Sequence, residues 1–414
     1  MTTGCDFYGD NLMKKISYIS LATIFILFSC SCSSSVSGTA VKENITLWNT
    51  TWYEDGMFYE AINGNGENVL CFYSKDTDKS AVMCGLPECT HTYAASPHCG
   101  ALMDSNTVRR YGFNRIGDKL YFIAAQNFSE TSMGSVDLIE CDINGQNRRI
   151  AASIENTNLP FITDVQYTDD YVLITYYQNF DLEKNEKTGE YDFVYLDKYR
   201  FYMRQIEIST GKVETLLYRE EYDGYGGGTV YDNILYYNYT YHNEAPTGEM
   251  LTPETAPPMQ GGFYIRDLST GEEKEYKGMT AFGMALGHFS PNKIVLRDWK
   301  NNNLCRFDSE TGKFTYIADY DSGSYTEDGK DALFIPNDKA EFLIKYNFET
   351  GELSKIPYSE ESGIFLSLTH TVGNTVWAEI SDPEGSLVHA YMDRDDFFAG
   401  KFENINKIKE VNLQ

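Results

Sequence analysis

The chain has 414 residues, with 61 acidic against 34 basic side chains and a formal net charge of −27. A field of that sign repels phosphate backbones, which argues against a nucleic-acid partner, and it disfavours lying flat on anionic lipid. Thirty-two tyrosines and 24 phenylalanines, without any long apolar run of helical period, point to an all-β protein.

Residues 1–29 read as a signal peptide. Lys14 and Lys15 supply its positive end, Met13 fits a start, and the apolar run 16–28 is too short to sit comfortably across a bilayer. The run closes on Leu27-Phe28-Ser29-Cys30, which resembles the lipobox of bacterial lipoproteins. That resemblance implies cleavage behind Ser29 and lipidation of Cys30; Phe28 is bulky for its place, which leaves Cys32 as a weaker candidate. Several acyl chains on one cysteine hold a protein stably on a membrane. The Ser-rich stretch within 30–43 has the composition of a flexible tether. The expected location is the extracytoplasmic face of the cell membrane, and the plain alternative is a secreted protein with Cys30 in a spacer.

From residue 44 onward one unit repeats. Its clearest copy is LCRFDSETGKFTY at 304–316: an alternating run ending in Asp308, a polar turn closing on Gly312, then a second alternating run. Glycine takes a positive φ without a Cβ penalty and aspartate accepts from the backbone two residues on, so this reads as a hairpin tip. Turns at Gly145, Gly211, Gly271 and Gly351 repeat it, and decayed versions end at Asp78 and Asp395. Upstream of each lies a run of aromatic and β-branched residues, at 55–59, 117–123, 170–175, 232–237, 291–296, 328–335 and 373–378. Successive turn glycines from 145 onward are 66, 60, 41 and 39 residues apart. Propeller repeats run at roughly 40–50 residues of four strands, and the longer intervals are the same unit with insertions. The predicted fold is a β-propeller over 44–414 with seven four-stranded blades. A β-sandwich array or a solenoid is the competing arrangement.

The densest chemical signal lies between Cys84 and Cys99, where Cys84, Cys89, His91, His98 and Cys99 fall close together. Thiolate and imidazole are the ligands of structural zinc, and four of them close a tetrahedron. The predicted metal ligands are Cys84, Cys89, His91 and Cys99, with His98 as the alternative to His91. Thiols outside the cell also pair, and Cys71 makes the set even, so disulfides stand as the other reading. Cys71, Cys141 and Cys305 sit in strand patterns and equally suit small buried hydrophobes.

The run Cys84-x-x-Pro87-Glu88-Cys89-Thr90-His91, followed by Cys99-Gly100-Ala101, resembles a stretch in uncharacterised surface lipoproteins of Gram-positive bacteria. Those proteins are predicted to have propeller folds similar to the TolB-like and domain-of-unknown-function 5050 groups. The resemblance implies a cell-surface location and carries no activity with it.

Two stretches, 179–200 and 239–262, interrupt the hairpin pattern, and long loops on a rigid scaffold are commonly functional or disordered. The Gly-rich run 225–228 reads as a flexible link, with close backbone approach as the alternative. Exposed Tyr and Trp beside carboxylates suit sugars or peptides. There is no Gly-x-Ser-x-Gly elbow, no His-Glu-x-x-His and no sialidase Asp-box. The turn 308–313 is similar to the quinoprotein repeat, but Tyr316 replaces its closing Trp, which counts against a quinone cofactor. Asp169 and Asp170, like Asp395 and Asp396, are adjacent and point to opposite faces of a strand. His242, His288, His370 and His389 are scattered along the repeats in the manner of structural histidines. The expected function is a lipid-anchored binding or scaffolding module whose ligand is a glycan or a surface protein. The alternatives are a polysaccharide-active hydrolase or lyase with its site in the propeller channel, and a docking subunit of a surface complex.

Overall fold

The computed structural model describes residues 44–413 except 48–49, 97, 104–107, 127–133, 156–160, 245–257, 285–288, 322, 338–340, 359–363, 382–385 and 412. The leader, Cys30, Cys32 and His288 therefore lie outside the described residues.

The strands follow one another in antiparallel meanders. Blade 1 comprises β1 (Asn44–Leu47), β2 (Thr50–Tyr53), β3 (Gly56–Ile62), β4 (Asn68–Ser74) and β5 (Lys79–Val82). Blade 2 is β6 (Val108–Ile116), β7 (Lys119–Gln126), β8 (Ser135–Asp142) and β9 (Arg149–Glu155). Blade 3 runs through β10 (Phe161–Tyr167), β11 (Tyr171–Lys184) and β12 (Tyr191–Glu207) into the first half of β13 (Val213–Tyr231). The second half of β13 opens blade 4, which continues with β14 (Ile234–His242), β15 (Met259–Asp267) and β16 (Glu273–Lys277). Blade 5 is β17 (Met279–Phe282), β18 (Ile294–Asp298), β19 (Asn303–Asp308) and β20 (Lys313–Asp319). Blade 6 is β21 (Tyr325–Glu327), β22 (Asp331–Phe334), β23 (Phe342–Asn347) and β24 (Leu353–Pro357). Blade 7 is β25 (Ile364–Val372), β26 (Thr375–Ser381), β27 (Leu387–Asp393) and β28 (Asn406–Lys407), with a short helix α1 (Arg394–Phe398) between the last two.

Packing closes these sheets into a ring. Alternating side chains give each blade two apolar faces, and each face meets a neighbour. Tyr53, Phe58 and Leu70 of blade 1 pack on Phe113, Leu120 and Cys141 of blade 2, and equivalent buried clusters join every later pair in order. The last cluster joins blade 7 to blade 1 through Trp52, Met57, Tyr59, Val372 and Trp377. The fold is a seven-bladed β-propeller, as the repeat predicts.

No strand crosses from one terminus into the other's sheet among the described residues, so side chains and the C-terminal tail hold the seam. The Trp377 indole N–H donates to the Tyr53 carbonyl at 2.9 Å, and the Trp52 ring stacks on His370 at 4.6 Å. Beyond β28 the tail runs along blade 1: Val411 N–H donates to the Tyr59 hydroxyl and Ser80 Oγ donates to the Lys409 carbonyl. Ile408, Val411 and Leu413 pack into the seam cluster.

An antiparallel meander puts alternate connections at opposite ends of each sheet. One end carries the short turns joining the first strand to the second and the third to the fourth; the other carries the second-to-third connections and the links between blades. The repeated Thr-Gly tips all lie at this turn end. At Gly312 φ is 68°, and the Asp308 carboxylate accepts from the Glu310 and Thr311 N–H groups, each at 3.0 Å. Both interruptions fall at the opposite, loop end.

Two sequence expectations are corrected. Residues 179–200 do not break the hairpin; they extend β11 and β12 into a ribbon paired from Phe180 with Tyr195 to Lys184 with Tyr191. The run 225–228 is no flexible link but part of the inner strand of blade 4, paired with β14. Its glycines are there for close approach: a Cβ at Gly226 or Gly228 would overlap the carbonyl oxygens of Asn238 or Tyr236. Of the second interruption, β14 reaches His242 and β15 starts at Met259; residues 245–257 are outside the described set.

β1 is an addition to blade 1. It pairs with the inner strand β2 and lies against β6, β10 and β25, the inner strands of three other blades, so its backbone sits inside the ring.

Candidate metal centre and the loop end

Strand β5 ends at Val82, and Met83 N–H still donates to the Leu70 carbonyl. The chain then leaves the sheet and returns beside β4, where Leu102 bridges Val69. Everything between is a knot in the outer edge of blade 1, and its two ends carry Cys84 and Cys99.

The structure brings Cys84, Cys89, His91 and Cys99 together: one ligand atom from each lies within 4.8 Å of all the others. Cys84 Sγ is 3.6 Å from Cys99 Sγ, and His91 Nδ1 is 3.4 Å from Cys99 Sγ. A zinc tetrahedron with bonds of about 2.3 Å to sulfur and about 2.0 Å to nitrogen has edges of about 3.5–3.8 Å. A disulfide needs about 2.05 Å, and Cys84, Cys89 and Cys99 are all free thiols. The same holds for Cys71, Cys141 and Cys305, which are buried in strands with each thiol against a backbone carbonyl at 3.6 Å. His98 is exposed and outside the quartet.

Local backbone geometry selects His91. Glu88 and His91 both have left-handed φ, 55° and 53°, a conformation L-residues adopt at a cost of about 1–3 kcal/mol unless their surroundings enforce it. The enforcing groups come from the β3–β4 turn: Asn63 Nδ2 donates to the His91 carbonyl at 2.8 Å, and Tyr93 N–H donates to the Glu67 carboxylate at 3.1 Å. Leu86 N–H points at Cys84 Sγ, 3.4 Å away. Asn63 and Glu67 were not singled out from sequence, although Asn63-Gly64-Asn65-Gly66-Glu67 is a conspicuous turn signal. On its other side the knot meets blade 2, where Arg148 Nη2 donates to the Gly100 and Leu102 carbonyls at 2.6 and 2.9 Å.

The electrostatics suit a metal. Burial pushes the Cys89 thiol up, but donors from Ser96, His91 N–H and the neighbouring thiols outweigh it and hold it below the ordinary thiol value. Burial pushes Cys99 up to about 12, and the adjoining thiols add to that. Burial also holds His91 below the ordinary imidazole value, which favours the neutral ring, the form that ligates a metal. Three thiols and a neutral imidazole this close together are a donor set that suits a divalent ion. Four protein ligands leave no open position, so the set can hold a fold together but offers no place for substrate.

The ribbon at the loop end is set by two bulges. The register slips at Asn179 in β11 and between Tyr222 and Tyr225 in β13, where Asp223 has a φ of 52°. The Tyr199 hydroxyl lies beside the side chains of Asn179 and Asp223. Burial raises the Asp223 carboxyl above its ordinary value against the opposing pull of His242 and Tyr199. Phe161, Tyr177 and Tyr199 form a stacked column, with centroids 5.1 and 5.5 Å apart. Among the described residues the other histidines do not gather: His370 is in the seam, and His389 lies between Glu379 and Glu410 on blade 7.

Among solved structures the chain is similar to oligogalacturonate lyase in complex with manganese, at 10% identity and a TM-score of 0.46 over 87% of this chain and 89% of that one. It is also similar to the β-propeller domain of the Trilobed protease from Pyrococcus furiosus, at 12% identity and a TM-score of 0.44 over 93% and 98%. TolB from Acinetobacter baumannii shares 13% identity at a TM-score of 0.36 over 86% and 80%. No family model and no curated protein matches the sequence. At these identities the likeness is one of architecture, and no ligand or activity passes from those proteins to this chain.

Proposed function

We propose that this propeller is a lipid-anchored, extracytoplasmic binding module, acylated at Cys30, whose ligand is a glycan or a surface protein. Zinc held by Cys84, Cys89, His91 and Cys99 fastens one corner of its loop end. The observation that carries the reading is the division of labour between the two ends. The turn end is built from near-identical short tips, while the knot and the ribbon both belong to the loop end. Rigid scaffolds carry recognition on the connections that vary. A hydrolase or lyase working on the axis has less support, because β1 lies against the inner strands where such a site would be.

The test is a paired assay on the purified chain: a glycan array for binding and product analysis for turnover. Binding without new reducing or unsaturated ends supports a module, whereas turnover in step with enzyme concentration replaces it by an enzyme. The anchor is tested separately by Cys30→Ala, which should move the protein from the membrane to the soluble fraction.

A further inference from the structure

We infer that the ligand end of this ring is its loop end and that it takes a neutral glycan chain, an inference that rests on the binding-module reading above. The first support is the course of β1. It runs antiparallel to β2, and β2 leads into the turn-end connection at Glu54 and Asp55. Asn44, where the described chain begins, therefore sits at the turn end. An N-terminal anchor draws the turn end towards the membrane and leaves the loop end facing away. The axis itself is taken up by β1.

The second support is where large apolar side chains are exposed. Tyr93 lies in the knot, Phe161 starts β10, Phe193 and Tyr195 lie on the ribbon, and Trp299 follows β18. All five are at the loop end. The turn tips carry Asp, Ser, Glu, Thr and Gly instead, and exposed rings such as Phe314 and Tyr316 are on an outermost strand. Trp299 is prepared as a platform: Arg297 stacks on the ring at 3.7 Å, and the indole N–H donates to Thr280 Oγ1 at 2.8 Å. The ring is nonetheless 49% exposed. Its orientation is fixed before any ligand arrives, which lowers the entropy cost of binding.

The third support is spacing and charge. A protein partner is anchored by a contiguous apolar patch, but these rings are spread over three blades: Tyr93 on blade 1, Phe161, Phe193 and Tyr195 on blade 3, and Trp299 on blade 5. Separated flat rings with hydrogen-bonding groups between them suit a chain of sugars, each presenting an apolar face and a rim of hydroxyls. The net charge is −27, and the ribbon 179–200 carries six acidic against four basic side chains. That field disfavours uronates and sulfated sugars, which leaves neutral glycans.

The full-length chain in detergent micelles, screened on an array of neutral and acidic glycans and then titrated by calorimetry, decides the matter. The expected result is a neutral glycan whose affinity falls about three- to tenfold in each of Trp299→Ala and Tyr195→Ala, one lost ring contact apiece. The double variant Phe314→Ala/Tyr316→Ala should bind as wild type. If a glycan binds and only the Phe314/Tyr316 variant weakens it, the loop-end assignment falls while the module reading stands. A preference for acidic glycans overturns the charge argument. A folded wild type that binds no glycan on the array overturns the ligand class, and a membrane pull-down then tests the module reading with a protein ligand.

Discussion

Two buried ionisable groups should make this ring respond to pH in opposite senses that nearly cancel. His370 lies in the blade 7–blade 1 seam, stacked on Trp52, and burial depresses its imidazole to about 3. Its neutral form is favoured in the fold, so its contribution is complete above the unfolded value of about 6.5 and is lost as pH falls towards 3. Glu327 lies in the inner strand of blade 6, where burial pushes its carboxyl up to about 8 against the hydrogen bond from Tyr325. Its protonated form is favoured, so its contribution is complete below about 4.5 and is lost as pH rises towards 8. At about 1.4 kcal/mol per unit, going from about pH 7 to about pH 5 costs about 2 kcal/mol through His370 and returns about 2.5 kcal/mol through Glu327. The wild type should therefore be almost flat over that interval. His370→Phe keeps a ring on Trp52 and should gain about 2 kcal/mol relative to wild type on the same acidification; Glu327→Gln should lose about 2.5 kcal/mol. Urea unfolding at the two pH values gives each change by linear extrapolation. If both variants track wild type within about 0.5 kcal/mol, neither group has the burial assigned to it and the reasoning fails.

Metal analysis of the purified chain should find about one zinc per molecule, lost in Cys99→Ser and retained in His98→Ala, since only His91 reaches the quartet; loss in His98→Ala would reverse that choice. Gly228→Ala should cost at least about 2 kcal/mol by chemical denaturation, because the new Cβ meets the Tyr236 carbonyl, whereas Gly227→Ala has open space around it and should stay within about 0.5 kcal/mol. Trp377→Ala should cost about 3–5 kcal/mol as a large buried ring at the seam. Truncation after Lys407 removes Ile408, Val411 and Leu413 from the same cluster and should lower the melting temperature as well; no change would mean that the tail plays no part in closure.

The turn end could be read from the sequence because its chemistry is local. The Asp308 carboxylate meets N–H groups two and three residues on, and Gly312 takes the left-handed corner, so each hairpin is written within about ten residues. The metal quartet was legible for the same reason, with four ligands in one short run. The sequence already favoured His91 over His98, but what holds His91 in place, Asn63 and Glu67 in a different turn, was not legible in that run. The glycines at 226 and 228 were misread because composition alone does not separate a link from a close approach, and the deciding atoms are carbonyls on β14. The ribbon was misread because its many charges hide the pairing of Phe180 with Tyr195 and Leu182 with Phe193.

Ring closure shows why the remainder stayed hidden. Trp52 and His370, or Trp377 and Tyr53, are more than 300 residues apart, and no local pattern announces that they meet. A ring without strand exchange has to make its seam from such contacts, and loop-closure entropy makes them the most expensive to form. Six junctions join consecutive blades; the seventh must find its partner across the whole chain. Large buried rings and a tail along blade 1 concentrate enough apolar area there to offset that cost. The same division bears on function. Connections at the turn end are held by contacts between near neighbours and have little freedom to change shape. Those at the loop end are held by groups from elsewhere in the fold, as the knot is by Asn63, Glu67 and Arg148. They can therefore differ from blade to blade without disturbing the hairpins, and a surface with that freedom is the one on which a binding site can be built.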